Sequence, residues 1–211
     1  MKKTILIFVR HGYSEANEKN IFAGITDVPL TETGKQQAVL TAKFLSQYAI
    51  DVLYSSDLKR AWQTATPIAE QTGLPIILNK QLREMDLGLW EELPFEAVVH
   101  KYPQEYALWM SDVNNAGAPG GESVARVRER ITAAVEQIVA EHRGKTVCIV
   151  THAEALRVLF PAWTGERLAD IPYVPNSSVT MVEYEGDTRH VVLNGFAEHL
   201  GELTTRLPVT V

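Results

Sequence analysis

Two stretches of the chain are uninterrupted runs of apolar residues, the pattern of β-strands that are covered on both faces. The first run covers residues 5–9 and stops at Arg10 and His11. The second, in the stretch 146–150, opens with Thr146, continues through four apolar residues and runs into Thr151 and His152. Ligands of open α/β sheets bind beyond the carboxyl ends of the strands. If the two strands are parallel, both histidines lie at one edge of the sheet.

Shorter apolar runs and helical spacing predict the other elements. Strands are predicted at Asp51–Tyr54 and Ile76–Leu78, and a hairpin at Ser178–Tyr184 and His190–Leu193 around Glu185, Gly186 and Asp187. Helices are predicted from a Thr31 cap to about Tyr48, from a cap at 55–57 to Glu70, over 94–111 with an interruption at Pro103, from Ser123 to about Gly144, and from Ala153 to Ala162. Residues 114–121 read as a loop. The order of strands and helices indicates an α/β protein.

Length and composition are typical of a single globular domain. The chain has 211 residues, of which 45% are hydrophobic and 22% are charged. It contains no apolar run near the roughly 20 residues that cross a bilayer, so no membrane partner is expected. A net charge of −6 without a basic cluster argues against nucleic-acid binding. The single cysteine, Cys148, lies inside an apolar run and fits a reducing cytoplasm. The sequence does not indicate the oligomeric state.

The residue types after the first strand suit phosphate chemistry. A neutral imidazole such as that of His11 can attack phosphorus, and the guanidinium of Arg10 can hold phosphate oxygens in a bidentate manner. Gly12 lets the backbone turn sharply. A strand that ends in a solvated Arg-His pair is the alternative. Arg60 lies in the first turn of a helix, where the dipole disfavours a cation without an anionic partner, although it also fits a surface arginine.

Candidate substrate contacts lie in the loops around these strands. Ser14 and Asn17 follow His11 and are interpreted either as phosphate or substrate contacts or as cap and turn residues. Gly24, in the next loop, and Ala153, just after His152, are further candidates for substrate binding. No metal or other cofactor is predicted, because the sequence contains no His-x-x-x-His or Cys-x-x-Cys spacing.

Two acids compete for the role of proton donor. Glu84 and Asp86 stand among apolar neighbours, a setting that raises the pKa of a carboxyl group, and local sequence does not choose between them. The aromatic segment 94–111 either belongs to the core or covers a site. Residues from about 90 to 121 are interpreted as a cap-like insertion. The arginines at 126, 128 and 130 are interpreted as a solvated helix face.

Taken together, these motifs resemble those of the histidine phosphatase superfamily, which includes cofactor-dependent phosphoglycerate mutases and α-ribazole phosphatases. The matching segments are Arg10-His11-Gly12, Ser55 to Ala61, Glu84 to Glu91, Gly121-Glu122-Ser123 and Val150-Thr151-His152. The resemblance implies a three-layer α/β/α sandwich with a mostly parallel sheet. It also implies that His11 becomes phosphohistidine, that Arg10, Arg60 and His152 form the phosphate pocket, and that Glu84 rather than Asp86 donates the proton.

Three sites in the sequence depart from the pattern that such relatives usually show. Ala153-Glu154 stands where they commonly have glycine and brings an acid close to the anion pocket unless its side chain turns away. Tyr13 replaces a polar residue, and Glu92 stands where glycine is frequent.

The leading hypothesis is a phosphatase acting on a small phosphorylated metabolite. A phosphoglycerate mutase is the main alternative, although Lys101 is the one lysine or arginine that the segment 93–121 offers to a second anionic group, unless Arg126 or Arg130 substitutes. A phosphate-binding regulator without turnover is the third hypothesis, and it would not need the acid.

Overall fold

A computed structural model describes residues 2–111, 116–186 and 188–205. Its six-stranded sheet has the order β3-β2-β4-β1-β5-β6. The strands are β1 (Thr4–Arg10), β2 (Val52–Ser55), β3 (Ile76–Leu78), β4 (Thr146–Thr151), β5 (Val179–Glu185) and β6 (Thr188–Phe196). Strands β3, β2, β4 and β1 are parallel neighbours, and the β5–β6 hairpin adds two antiparallel pairings at one end. Asp187, in the predicted hairpin turn, lies outside the described residues.

Helices cover both faces of this sheet. They are α1 (Glu15–Glu18), α2 (Glu32–Leu45), α3 (Lys59–Thr72), α4 (Phe95–Lys101), α5 (Pro103–Ser111), α6 (Val124–Glu141), α7 (Ala153–Arg157) and α8 (Phe160–Thr164). Alternate residues of β1 enter two separate cores. Ile7 and Val9 pack with α2 and α3, whereas Leu6 and Phe8 pack with α6, α7 and α8. The predicted three-layer α/β/α sandwich is confirmed. No helix in the described ranges has the length and apolar character needed to cross a membrane.

The register of β1 against β4 determines the position of the two histidines. The strands are parallel, and Arg10 pairs with Thr151. His11 and His152 are therefore the next residue of each strand, side by side at the carboxyl edge. The backbone N–H of His11 continues the ladder by donating to the carbonyl of Thr151 at 2.9 Å.

Two predicted helix boundaries are wrong. The helix expected over 153–162 is two short helices, α7 and α8, because the chain turns between Val158 and Leu159. Helix α3 begins after Leu58 without a side-chain cap. Asp57, expected in that cap, instead accepts two hydrogen bonds from Arg83, each 2.6 Å long. A long-range charged partner thus replaces the local cap.

The aromatic segment after Glu91 forms core contacts. The rings of Tyr106 and Trp109 lie 6.2 and 5.3 Å from that of Trp90, which is fully buried. Phe22 packs between Trp90 and Phe95, at 5.6 and 4.2 Å. The helical break at Pro103 is as predicted. Of the loop predicted at 114–121, residues 114 and 115 lie outside the described residues, and 116–121 contain no helix or extended strand.

Glu92 has a left-handed backbone conformation, with φ of 65°. A side chain with a Cβ is strained there, whereas glycine is not. We expect Glu92→Gly to raise the free energy of unfolding by about 0.5–1 kcal/mol. Urea denaturation measures the change. Glu92→Ala is the matched control, because it removes the same carboxylate but keeps the Cβ. Equal stability of the two variants would contradict backbone strain as the cause.

Candidate active site

Four buried side chains converge at the carboxyl edge of the parallel strands. Arg10 and His11 end β1, His152 follows β4, and Arg60 lies in the first turn of α3, after β2. None of the four residues is more than 5% exposed. The two imidazole rings lie 5.2 Å apart, centroid to centroid. Residues that are distant in sequence therefore form one basic cluster.

Hydrogen bonds fix the orientation of His11. Its Nδ1 lies 2.8 Å from the carbonyl oxygen of Gly12, which can only accept, so Nδ1 carries the proton and Nε2 keeps its lone pair. Gly12 in turn donates its N–H to Thr64 Oγ1 at 2.9 Å. Burial, and then the charges of Arg60 and Arg10, lower the pKa of His11 well below its usual value. The imidazole is neutral at pH 7 and presents a nucleophilic nitrogen.

His152 presents its opposite ring nitrogen to the cluster. Its Nε2 lies 2.8 Å from Ser56 Oγ, and this oxygen also accepts a longer bond from the N–H of Leu58 at 3.4 Å. The serine hydroxyl has no other acceptor among the described residues, so it is expected to donate to Nε2, which places the ring proton on Nδ1. Nδ1 is buried and has no hydrogen-bond partner in the described structure. Burial, followed by the charge of Arg60, lowers the pKa of His152 well below its usual value.

Backbone carbonyls hold the two guanidinium groups. Arg10 Nη1 donates to the carbonyl of Val174 at 2.6 Å, and Arg60 donates to those of Ala23, Gly24 and Thr26 at 2.6–3.1 Å. Burial lowers the pKa of each arginine to about 10, so both are charged at neutral pH. Arg10 Nε is buried without a partner among the described residues. Arg10 Nε and His152 Nδ1 are therefore two buried donors that suit an anion.

The structure distinguishes the two candidate acids. Glu84 accepts hydrogen bonds from the N–H groups of Met85, Glu154 and Ala155 at 2.9–3.1 Å, so its carboxyl group lies at the start of α7, next to His152. Burial raises the pKa of Glu84, and the charge of Glu154 raises it further. The hydrogen bonds from the backbone and the charge of Arg60 lower the pKa, but the net shift is upward. Asp86 instead accepts from the N–H of Gly88 within its own turn.

The four predicted substrate contacts lie around this cluster. Ser14 caps α1, and its Oγ and N–H both lie within 3.1 Å of Asn17 Oδ1. The side-chain nitrogen Nδ2 of Asn17 has no bond to the described residues. Gly24 uses its N–H for Glu91 and its carbonyl for Arg60. Ala153 is the first residue of α7, and its N–H is not bonded within the described chain.

Sequence reasoning missed several residues that hold the cluster. Ser56 and Thr64 bond to His152 and Gly12, as described above. Asn176 is buried, and its Nδ2 donates to the carbonyl of His11 at 3.2 Å and to Asn17 Oδ1 at 3.1 Å. Ser177 has a φ of 56° and donates its N–H to the carbonyls of Arg10 and His11. The turn residues 175–178 before β5 are a sequence signal for such a loop.

Arg130 corrects the interpretation of α6 as a solvated face. It binds Glu122 through Nε and Nη2 at 3.0 and 2.8 Å. It also donates to the carbonyls of Gln81, Arg83 and Glu84. Because its carbonyl partners lie in residues 81–84, this arginine fixes the segment that carries Glu84. Helical periodicity describes α6 alone and does not reveal such partners in a neighbouring loop.

Glu154 turns away from the anion cluster and pairs with Arg157. Two hydrogen bonds of 2.7 and 2.8 Å join them, and both side chains are at most 9% exposed. Arg157 also donates to the carbonyl of Leu168 and lies 4.8 Å from the ring centre of Tyr173. The departure from glycine at this position is thus accommodated by a bidentate ion pair.

Breaking this pair should destabilise the fold. We expect Glu154→Ala to lower the free energy of unfolding by about 3–5 kcal/mol, because the buried charge of Arg157 would lose its carboxylate partner. The double variant Glu154→Ala, Arg157→Met should lose less stability in urea denaturation than the sum of the losses from Glu154→Ala and Arg157→Met. Glu32→Ala, at an exposed pair with Lys35, is the control and should cost less than about 0.5 kcal/mol. Additive losses at the buried pair would contradict the coupling.

The sequence and the fold are similar to those of known proteins. The model of the histidine phosphatase superfamily (branch 1) matches residues 6–196. Phosphoserine phosphatase 1 of Hydrogenobacter thermophilus is 36% identical over 200 residues, which cover 93% of this chain and 94% of that protein. The structure of Bacillus stearothermophilus YhfR has a TM-score of 0.87 at 32% identity, covering 93% of this chain and 99% of that one.

A mycobacterial glucosyl-3-phosphoglycerate phosphatase, in a complex with VO3, has a TM-score of 0.84 at 28% identity, covering 92% of this chain and 99% of that one. This structure and that of YhfR share the fold of the chain along almost their whole length. The likeness extends to proteins whose names describe phosphate removal.

Proposed function

Because this chain belongs to the histidine phosphatase superfamily, we propose that it hydrolyses a phosphomonoester of a small metabolite through a phosphohistidine at His11. Membership of the family, together with its phosphatase relatives, makes the chain a phosphoric monoester hydrolase. The intermediate, the substrate class and the roles of individual residues are the proposal.

One observation carries this proposal: a neutral, oriented imidazole faces buried donors that suit an anion. His11 directs Nδ1 at a carbonyl and keeps Nε2 for attack. Arg10 Nε and His152 Nδ1 are buried donors without partners among the described residues. Phosphoryl transfer is accelerated mainly by positioning and by preorganised positive groups around the phosphoryl oxygens. The cluster has both features.

In the first step the lone pair of His11 Nε2 attacks phosphorus, and the bond from phosphorus to the ester oxygen breaks. Glu84 gives its proton to the leaving oxygen, and an alcohol departs. In the second step Glu84 takes a proton from water, the water oxygen attacks phosphorus, and the P–N bond breaks. Arg10, Arg60 and His152 hold the phosphoryl oxygens in both steps. Phosphate leaves, and Glu84 is protonated again.

The proposed mechanism uses guanidinium and imidazole groups where other phosphatases use metal ions. In the described part of the chain, no three His, Cys, Asp or Glu side chains lie close enough to share a metal ion. We assign a direct substrate contact to the free amide of Asn17 and to the N–H of Ala153. Ser14 and Gly24 would act indirectly, through Asn17 and Arg60.

Hydrolysis is favoured over the mutase alternative by the basic residues available. Arg130, a candidate second anion contact, is occupied by Glu122 and backbone carbonyls. Lys101 lies 5.3 Å from the ring centre of the neighbouring Tyr102. We propose that the described residues of the segment 90–121, which are 90–111 and 116–121, form a cap beside the site, anchored by Trp90. We also propose that the substrate is a small cytoplasmic metabolite without a second strong anionic group.

A panel of phosphorylated metabolites tests this function. Phosphate release should be measured from phosphoserine, 3-phosphoglycerate, sugar phosphates and p-nitrophenyl phosphate, with and without orthovanadate. We expect release from p-nitrophenyl phosphate and from a subset of the metabolites, and inhibition by orthovanadate. Interconversion of 3- and 2-phosphoglycerate with added bisphosphoglycerate, faster than hydrolysis, would favour the mutase. Phosphate binding without any turnover would contradict both enzymes.

A further inference from the structure

The carboxylate of Glu91 organises the loop that precedes the cluster. It accepts hydrogen bonds from the N–H groups of Gly24, Ile25 and Thr26 at 2.9–3.2 Å and from Thr26 Oγ1 at 2.5 Å. A further bond comes from the N–H of Leu87 at 3.0 Å. Three consecutive backbone N–H groups therefore point at one carboxylate, and such charge-assisted bonds are stronger than neutral ones.

The same loop directs its carbonyls at Arg60. Nη1 donates to the carbonyl of Thr26 at 2.8 Å, and Nη2 donates to those of Ala23 and Gly24 at 3.1 and 2.6 Å. The N–H groups of the loop thus meet Glu91 while its carbonyls meet the guanidinium. Arg60 Nε has no bond to the described residues, which leaves it for a phosphoryl oxygen.

Close packing leaves this loop little freedom to hold Arg60 in another way. A Cβ at Gly24 would lie 1.9 Å from the carbonyl oxygen of Met85 and 2.5 Å from Glu91 Oε1. The loop lies directly against the segment that carries Glu84. Glu91 therefore stabilises a loop that contacts both Arg60 and the segment that carries Glu84.

We propose that Glu91 is a positioning residue, which sets the place and orientation of the Arg60 guanidinium through the loop 24–26. The inference rests on the proposed function, in which Arg60 holds phosphoryl oxygens. Glu91 does not touch the substrate. It acts by holding the carbonyls that hold the arginine, in the same way that outer residues orient the ligands of a metal.

The test compares Glu91→Gln with Glu92→Gln. The first change keeps the shape of the side chain but removes the charge and replaces one acceptor oxygen by a donor. We expect kcat/KM to fall by about 10- to 100-fold, and the inhibition constant of orthovanadate to rise by a similar factor, because a small displacement of a phosphate-binding group is costly. Glu92 is adjacent and its carboxylate makes no bond to described residues, so Glu92→Gln should stay within about twofold.

A double-mutant cycle separates positioning from a general structural effect. In an Arg60→Ala background, Glu91→Gln should cause less than about a twofold further loss, because its target is already gone. In an Arg10→Ala background its full effect should persist. If Glu91→Gln does not fold, Thr26→Val serves instead, since it removes one bond to Glu91 but keeps the carbonyl that Arg60 uses. It should show a loss of about threefold to tenfold with the same dependence on Arg60.

The outcomes separate this inference from the proposed function. If the wild type turns over and Glu91→Gln equals Glu92→Gln, the positioning role is wrong and the phosphatase stands. The same holds if the losses from Glu91→Gln and Arg60→Ala are additive. If the wild type does not turn over, the proposed function is wrong, and orthovanadate affinity, measured by calorimetry, still decides whether Glu91 positions Arg60.

Discussion

His11→Ala should abolish hydrolysis of p-nitrophenyl phosphate, with a loss of about 10⁴-fold or more. The reason is that Nε2 of His11 is oriented by the carbonyl of Gly12 and kept neutral by burial beside two guanidiniums. No phosphoenzyme should form. Acid-free mass spectrometry of the intact protein after a brief incubation with substrate should show the added mass of one phosphoryl group in the wild type and not in His11→Ala.

Two other histidine variants make this result specific. His152→Ala should retain a phosphoenzyme, formed at least about 100-fold more slowly, because it loses a phosphate contact but not the nucleophile. His190 is an exposed residue of β6, and His190→Ala should behave as the wild type. A phosphoenzyme that persists in His11→Ala and disappears in His152→Ala would reverse the assignment of the two imidazoles. Thermal unfolding of each variant verifies that the fold is intact.

The proximity of the two histidines was predictable from the sequence, because the same pattern, an apolar strand that ends in a histidine, occurs twice. Each apolar run ends in a histidine, and parallel neighbours in register place both at one edge. Arg60 was predictable for a similar reason, since the first turn of a helix that follows a parallel strand lies at the same edge. For these three residues, the hydrophobic periodicity of the sequence and the order of strands and helices are enough to predict their place at the edge of the sheet.

Other parts of the site depend on contacts that a single sequence does not display. Glu84 and Asp86 are equivalent in local sequence, and they differ because Glu84 reaches the N–H groups of α7, a helix about 70 positions further along the chain. Arg130 appeared solvated because helical spacing describes the helix alone and not the loop against it. Glu91 binds mostly backbone N–H groups, and Asn176 binds the carbonyls of His11 and Gly12. Every residue has such backbone groups, so no motif marked these partners.

Glu84→Gln should lower kcat by about 10²- to 10⁴-fold for substrates with a poor leaving group. Glutamine keeps the shape and accepts some of the same backbone bonds, but it cannot donate a proton to the ester oxygen. The loss should be smaller for p-nitrophenyl phosphate, whose leaving group needs little protonation in the first step. Asp86→Asn is the matched control and should retain most of the activity, since an amide oxygen can still accept from Gly88.

The pH profile gives an independent test of this role. Burial raises the pKa of Glu84 above its usual value. The first step needs Glu84 to be protonated, so wild-type kcat/KM, which reports the steps up to phosphorylation of His11, should decrease as the pH rises through that raised pKa. His11 must be neutral, and because its pKa is lowered it does not limit activity until well below pH 6.5. Glu84→Gln should lose the alkaline decrease and keep any acidic one. An unchanged alkaline limb in Glu84→Gln, or its loss in Asp86→Asn, would transfer the role of proton donor away from Glu84.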